Sequence, residues 1–231
     1  MLFFTKLYNI VPNFPKVLTK IGYWNNILSK AEMCMIKIIA NWILNLVCKN
    51  CDIPNDLREA YQYGIGITIS SIFNILLILL TSLLFRDVLS GVIFLLCFIS
   101  LRTYSGGYHA TTYLRCSIVF LLTYILVEIS HIFLSHYFLS NIRFSEVLLL
   151  IFFLPVLIYA PVQNKHKKLD EKKKRKNKIL SVIIYIILAV IALLLHSCRS
   201  SYGMTIVMTL AAVSTMILIE IFMQRRGYHE V

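Results

Sequence analysis

"GMTIVMTLAAVSTMILIEIFM", residues 203–223, runs for 21 positions with a single charge, Glu220. A helix needs ~20 apolar residues to cross the hydrocarbon core of a bilayer, at ~1.5 Å of rise per residue. A helix that is apolar all round is either buried in a large protein or spans a membrane. This chain has 231 residues, 58% of them hydrophobic, and a mean hydropathy of +0.76. It has too little polar surface to cover that much apolar side chain in water. Working outward, further apolar stretches at roughly 63–85, 88–101, 116–139, 145–160 and 179–198 read as candidate spans. Those at 88–101 and 145–160 are short, at fourteen and sixteen residues, so they are either partly re-entrant or sit where the bilayer thins. The expected fold is therefore an all-α polytopic membrane protein with about six transmembrane helices, two of them short or re-entrant. Four full spans with two half-membrane elements is the alternative count.

Ahead of the spans, "IKIIANWILNLV" (36–47) sets Ile36, Ile39, Ala40, Ile43, Leu46 and Val47 at helical spacing, with Lys37, Asn41 and Asn45 largely off the stripe. That pattern predicts an amphipathic helix on the membrane surface, too short and too polar to span. Residues 1–34 read as a loosely ordered N-terminal extension, and 35–231 as one membrane-embedded domain. Pro12 and Pro15 interrupt the apolar core that a secretory signal would need. Met33 and Met35 leave a later translation start open.

The formal net charge is +12, from 23 basic and 11 acidic residues. The surplus lies between apolar spans and no nucleic-acid-binding motif accompanies it, so it reads as a topology signal and nucleic acid is not an expected partner. "QNKHKKLDEKKKRKNK" (163–178) carries nine basic and two acidic residues and prefers the cytoplasm. Arg225 and Arg226 fall on the same side two spans later. Counting back, the turn at Arg86-Asp87 is outside, and both termini and residues 102–116 are inside. Six cysteines (34, 48, 51, 97, 116 and 198) are irregularly spaced, and Cys48-Lys-Asn-Cys51 has neither a second pair nor a nearby histidine. Neither a disulfide framework nor a metal site is expected from them, and no cofactor is implied.

Between the second and third candidate spans lies "RTYSGGYHATTYLRC" (102–116), polar and glycine-containing. Cys116 falls near the start of a helix, where unpaired backbone N–H groups favour a thiolate, and Arg102 and Arg115 add positive charge. His109 can exchange a proton near neutral pH. A histidine beside a thiol is the minimal nucleophile–base pair of a cysteine peptidase. On one straight helix their seven-residue separation would leave them ~10 Å apart along the axis, whereas proton transfer needs ~3–4 Å. The chain must bend between them, or the histidine must meet a cysteine from another subunit. Gly106 and Gly107 supply freedom before the histidine, and Thr111 and Thr112 are weak helix formers. On chemistry alone the stretch also reads as an ordinary loop.

The same stretch resembles the signature of the accessory gene regulator B (AgrB) family of membrane peptidases of low-GC Gram-positive bacteria. The likeness lies in the arginine, the glycine before the aromatic position and the His-x6-Cys spacing. "YGIGI" (63–67) and "YAPVQNKHKK" (159–168) extend it, so that it covers about residues 35–231. The resemblance implies a quorum-sensing cysteine endopeptidase acting on an AgrD-type propeptide with an amphipathic N-terminus and an acidic tail. By position Cys116 is the nucleophile and His109 the general base and later acid. The product is a thiolactone or lactone ring, formed through an acyl-enzyme thioester, and a homodimer is expected by analogy. Arg102 either positions a substrate carboxylate through a charge-assisted hydrogen bond or braces the loop. Tyr104, Ser105 and Gly107 are supporting candidates. Many relatives carry Glu or Gln where this chain has Gly66, which leaves a third catalytic member unassigned. The basic run at 163–178 either attracts the acidic tail or only sets topology.

Glu128 and His131 stand one turn apart within a span. They read as an interhelical hydrogen-bonding pair, with a proton-coupling site as the alternative. That alternative belongs to the rival function, a non-enzymatic membrane transporter or peptide exporter in which the loop is a gate. A helix-bundle signalling scaffold is a third reading. Glu220 is expected to snorkel or to pair with Arg225.

Overall fold

The structure, a computed structural model, describes residues 38, 42, 55–107, 112–140, 142–162 and 170–225. These form helices α1 (Asn55–Leu84), α2 (Val88–Ser105), α3 (Tyr113–Ser140), α4 (Ile142–Tyr159), α5 (Glu171–Ser197) and α6 (Tyr202–Arg225), with no strand among the described residues. Five of them, all but α4, are long and apolar enough to cross a membrane. The fold is the expected all-helical one. Helix α4 has 18 residues and carries Arg143 and Glu146 near its start and Pro155 within it. Of the amphipathic segment, Ile38 and Trp42 are described, and both are helical and exposed. The rest of that segment, and the extension before it, lie outside the described residues.

The chain divides into two compact units, residues 1–72 with 111–117 and residues 73–110 with 118–231. In the first, the hydroxyls of Thr68 and Ser71 on α1 donate back to the carbonyls of Gly64 and Ile67, which hides their polarity from an apolar surrounding.

The second unit is organised round α6, which packs against α2, α4 and α5. Its buried residues include Met204, Leu210, Val213 and Ile217. Small and hydroxylic side chains let the helices approach, as membrane packing requires. Ser214 Oγ lies 2.6 Å from the carbonyl of Phe152 on α4, and Tyr185 of α5 donates to the carbonyl of Leu149 at 2.8 Å. At Gly91 of α2 a Cβ would stand 2.6 Å from the Cβ of Ser82 on α1, so only glycine allows that contact. Phe94, Phe98, Phe120 and Tyr124 form an aromatic cluster with ring centroids 4.9–5.6 Å apart. Large apolar side chains such as Leu80, Leu126, Phe133, Leu150 and Leu194 face outward. That distribution suits a hydrocarbon solvent.

Helices α1 and α5 end alike. Asp87 N–H donates to the Ser82 carbonyl and Arg86 N–H to that of Leu83, while Ser200 and Arg199 repeat the pattern on Leu195 and His196. This is the Schellman closure, which places its turning residue in the left-handed region, usually as glycine. Here the residues are arginines, with φ of 59° at Arg86 and 54° at Arg199. Asp87 then caps α2, its carboxylate accepting from Ser90 N–H at 3.0 Å.

Glu220 is 1% exposed and accepts from Gln224 Nε2 at 3.0 Å. Burial between packed helices, where a same-helix amide reaches it, replaces the expected snorkelling.

Candidate active site

The polar stretch is built from the end of α2. Arg102, Thr103, Tyr104 and Ser105 stay helical, so the helix runs four residues past its apolar run. Gly106 then stops it, donating its N–H to the Arg102 carbonyl at 3.0 Å. Gly106 has φ 70° and ψ −146°, and Gly107 has φ 122°. These left-handed conformations are open to glycine and strained for other residues.

Two segments that the sequence keeps far apart meet here. The N–H of Val162, in the Tyr-Ala-Pro-Val segment after α4, donates to the Ser105 carbonyl at 3.0 Å. A Cβ on Gly106 would come 2.4 Å from the Val162 carbonyl oxygen. Ser105 is fully buried, and its hydroxyl donates to the Gly106 carbonyl at 3.3 Å. The peptide bond between Ala160 and Pro161 is cis.

Arg102 folds back over its own helix. Its guanidinium carbon lies 5.6 Å from the centre of the Phe98 ring, and Nη1 lies 3.6 Å from Met216 Sδ on α6. Gly107 is packed so closely that a Cβ would meet Nη1 at 2.9 Å. Cation–π attraction and a weak sulfur acceptor hold the fork against the bundle. Tyr104 is half-buried on α2.

Cys116 belongs to the other unit, in the first turn of α3. Its N–H donates to the Thr112 carbonyl at 3.1 Å, and the Thr112 hydroxyl is 3.4 Å from Arg115 N–H. Threonine suits that capping position because its oxygen meets an orphan donor of the first turn. Cys116 is half-buried and carries a thiol, not a disulfide, as do Cys97 and Cys198. Arg115 is exposed and Gly66 is buried in α1. His109 lies outside the described residues. Among the described residues no group of three His, Cys, Asp or Glu is arranged to hold a metal ion.

Sequence reading passed over Gly106 as a site residue in favour of Gly107, and gave Val162 no role. The Gly-Gly pair and the Tyr-Ala-Pro-Val segment were both visible as motifs. Nothing in one sequence says that they touch.

The described residues thus define a polytopic helical membrane protein with a cysteine thiol in the opening turn of one of its spans. The family model of accessory gene regulator B matches residues 36–223, and the chain belongs to that family. It is 28% identical over 169 residues to an AgrB-like protein of Clostridium perfringens (strain 13 / Type A), covering 70% of this chain and 79% of the relative. It is 28% identical over 139 residues to the accessory gene regulator protein B of Staphylococcus aureus (strain N315), covering 58% of this chain and 70% of the relative. No solved structure matches the chain significantly.

Proposed function

We propose that this protein is a membrane cysteine endopeptidase that cleaves an AgrD-type quorum-sensing propeptide near its C-terminus and cyclises it to a thiolactone or lactone. The observation that carries the reading is the half-buried Cys116 thiol in the opening turn of α3, in a chain of this family. Backbone N–H groups there favour the thiolate, which is the attacking form.

The reaction runs in two transfers. Cys116 Sγ attacks the carbonyl carbon of the scissile peptide bond, and His109 takes the thiol proton. The C–N bond breaks, His109 gives the proton to the leaving amine, and the acidic tail departs. The peptide stays on Cys116 as a thioester. A cysteine or serine within the peptide, deprotonated by His109, attacks that thioester, closes the ring and returns Cys116 to the thiol. At a membrane interface water is scarce, which favours capture by the internal nucleophile over hydrolysis. The Gly106 turn and the Ser105–Val162 bond fix the chain a few residues before His109.

In this reading the site and both termini face the cytoplasm. Lys172, Lys173, Lys174, Arg175 and Lys176 stand exposed on the first turns of α5, where they attract the acidic tail over long range. The Lys174–Glu171 pair, at 3.8 Å and exposed, subtracts little from that field.

The test is co-expression with a short neighbouring open reading frame that encodes an amphipathic helix, a cysteine or serine core and an acidic tail. Peptide mass is followed with the wild type, Cys116→Ser and His109→Ala. Cleavage is expected only with both residues intact. Processing that persists in both variants refutes the peptidase, and peptide export without cleavage supports a transporter instead.

A further inference from the structure

Far along α3 from Cys116, a buried polar network links three helices and a turn. Glu128 is 1% exposed and accepts from Ser90 Oγ of α2 at 2.6 Å. Ser90 Oγ lies 3.4 Å from Thr205 Oγ1 of α6, which lies 3.0 Å from His131 Nδ1. On the far side of that ring, His131 Nε2 stands 3.8 Å from Asp87 Oδ2. The Tyr202 ring stacks on the imidazole at a centroid distance of 5.7 Å, and its hydroxyl lies 3.5 Å from Asp87 Oδ1.

The titratable groups facing the network are Asp87 from the turn before α2, Tyr124 beside Glu128 on α3, and Tyr202 from α6. From α1 it meets the Ser82 hydroxyl, next to Tyr124. Arg86 and Arg199, on the flanking turns, are exposed. Among the described residues neither carboxyl forms a salt bridge with a lysine or arginine. A buried ion pair or metal site would show such a partner or a third ligand, and the described residues offer neither. What the cluster does offer is a series of groups that both give and accept hydrogen bonds, continuous from His131 to the buried Glu128, with a 3.8 Å charge contact joining His131 Nε2 to the 23% exposed carboxyl of Asp87 at its outer end.

We propose that this network is a proton-binding site, loaded at the Asp87 turn and delivering its proton to Glu128 through His131, Thr205 and Ser90. A proton arriving at Asp87 passes to His131 Nε2. The ring releases the proton on Nδ1 to Thr205 Oγ1, the Thr205 hydroxyl proton moves to Ser90 Oγ, and the Ser90 proton moves to Glu128 Oε2. One N–H forms as another breaks, each hydroxyl gives one proton and gains one, and the carboxylate ends as the acid. Reversal of the ring tautomer resets the chain. The site is independent of the cysteine chemistry.

The experiment is infrared difference spectroscopy of the carboxyl C=O stretch against pH, on the full-length protein in lipid nanodiscs. A titrating band is expected in the wild type and in Cys116→Ser, and its loss in Glu128→Gln. Thr205→Val and Ser90→Ala each keep the carboxyl and the ring but remove one link. Ser90→Ala removes the hydroxyl that donates to Glu128 and is expected to shift the titration midpoint by about one unit, a tenfold change in proton affinity, whereas Thr205→Val is expected to slow the band's response to a pH jump about tenfold. Circular dichroism reports folding, and should Glu128→Gln fail to fold, the two hydroxyl variants carry the test. A band that survives Glu128→Gln, or that titrates unchanged in Ser90→Ala and responds at the wild-type rate in Thr205→Val, overturns the proposal.

Discussion

Replacing Gly106 by alanine loads the turn before His109 with two costs. At φ 70° and ψ −146° an L-residue sits in a region almost reserved for glycine, at about 1–3 kcal/mol. The added Cβ would also come 2.4 Å from the Val162 carbonyl oxygen, and that backbone must move. Movement breaks the Val162-to-Ser105 hydrogen bond of 3.0 Å, worth about 1 kcal/mol net. Against this, alanine lowers the entropy of the unfolded chain, returning about 0.4–1 kcal/mol. With each term near the middle of its range the balance is about 2–3 kcal/mol, or roughly 30-fold to 150-fold in the population of the intact turn. Peptide-processing rate in membranes, read beside the melting temperature in detergent, measures it. Processing is expected to fall at least tenfold. Gly64→Ala is the control, since nothing lies within 4 Å of a Cβ there; it is expected to leave processing unchanged and to raise the melting temperature slightly, because alanine replaces glycine inside a helix. A Gly106→Ala protein that melts and processes like the wild type refutes the reasoning.

Arg86→Gly and Arg199→Gly relieve a left-handed φ of 59° and 54° and are each expected to stabilise by about 1 kcal/mol, raising the melting temperature. Gly91→Ala drives a methyl group to 2.6 Å from the Ser82 Cβ and is expected to cost about 1–3 kcal/mol. Pairing it with Ser82→Gly should recover most of that loss, and melting curves of the two singles and the double measure the recovery.

The spans were legible because hydrocarbon leaves a plain mark: long apolar runs broken by charge. Their ends were not. Helix α2 continues through Arg102–Ser105, where the guanidinium folds over Phe98 and a polar residue needs no solvent. Helix α5 begins at Glu171, well before its apolar run, because lysine, arginine and glutamate are good helix formers. That Cys116 stands near the start of α3 was legible from the apolar stretch that follows it, whereas the capping role of Thr112 was not, since Thr111 and Thr112 read only as weak helix formers. The meeting of Gly106 with Val162 was not, since which loops touch depends on how whole helices pack. Glu128 and His131 were visible as a pair one turn apart. Asp87, Ser90, Thr205 and Tyr202 complete their network from elements that nothing local connects to them.

The hydrogen bond from Val162 to Ser105 has a mechanical side. Gln163 follows directly on Val162 and opens the lysine-rich stretch, while His109 stands four positions after Ser105. A pull on the backbone at Val162 is therefore shared with the end of α2 through one peptide hydrogen bond.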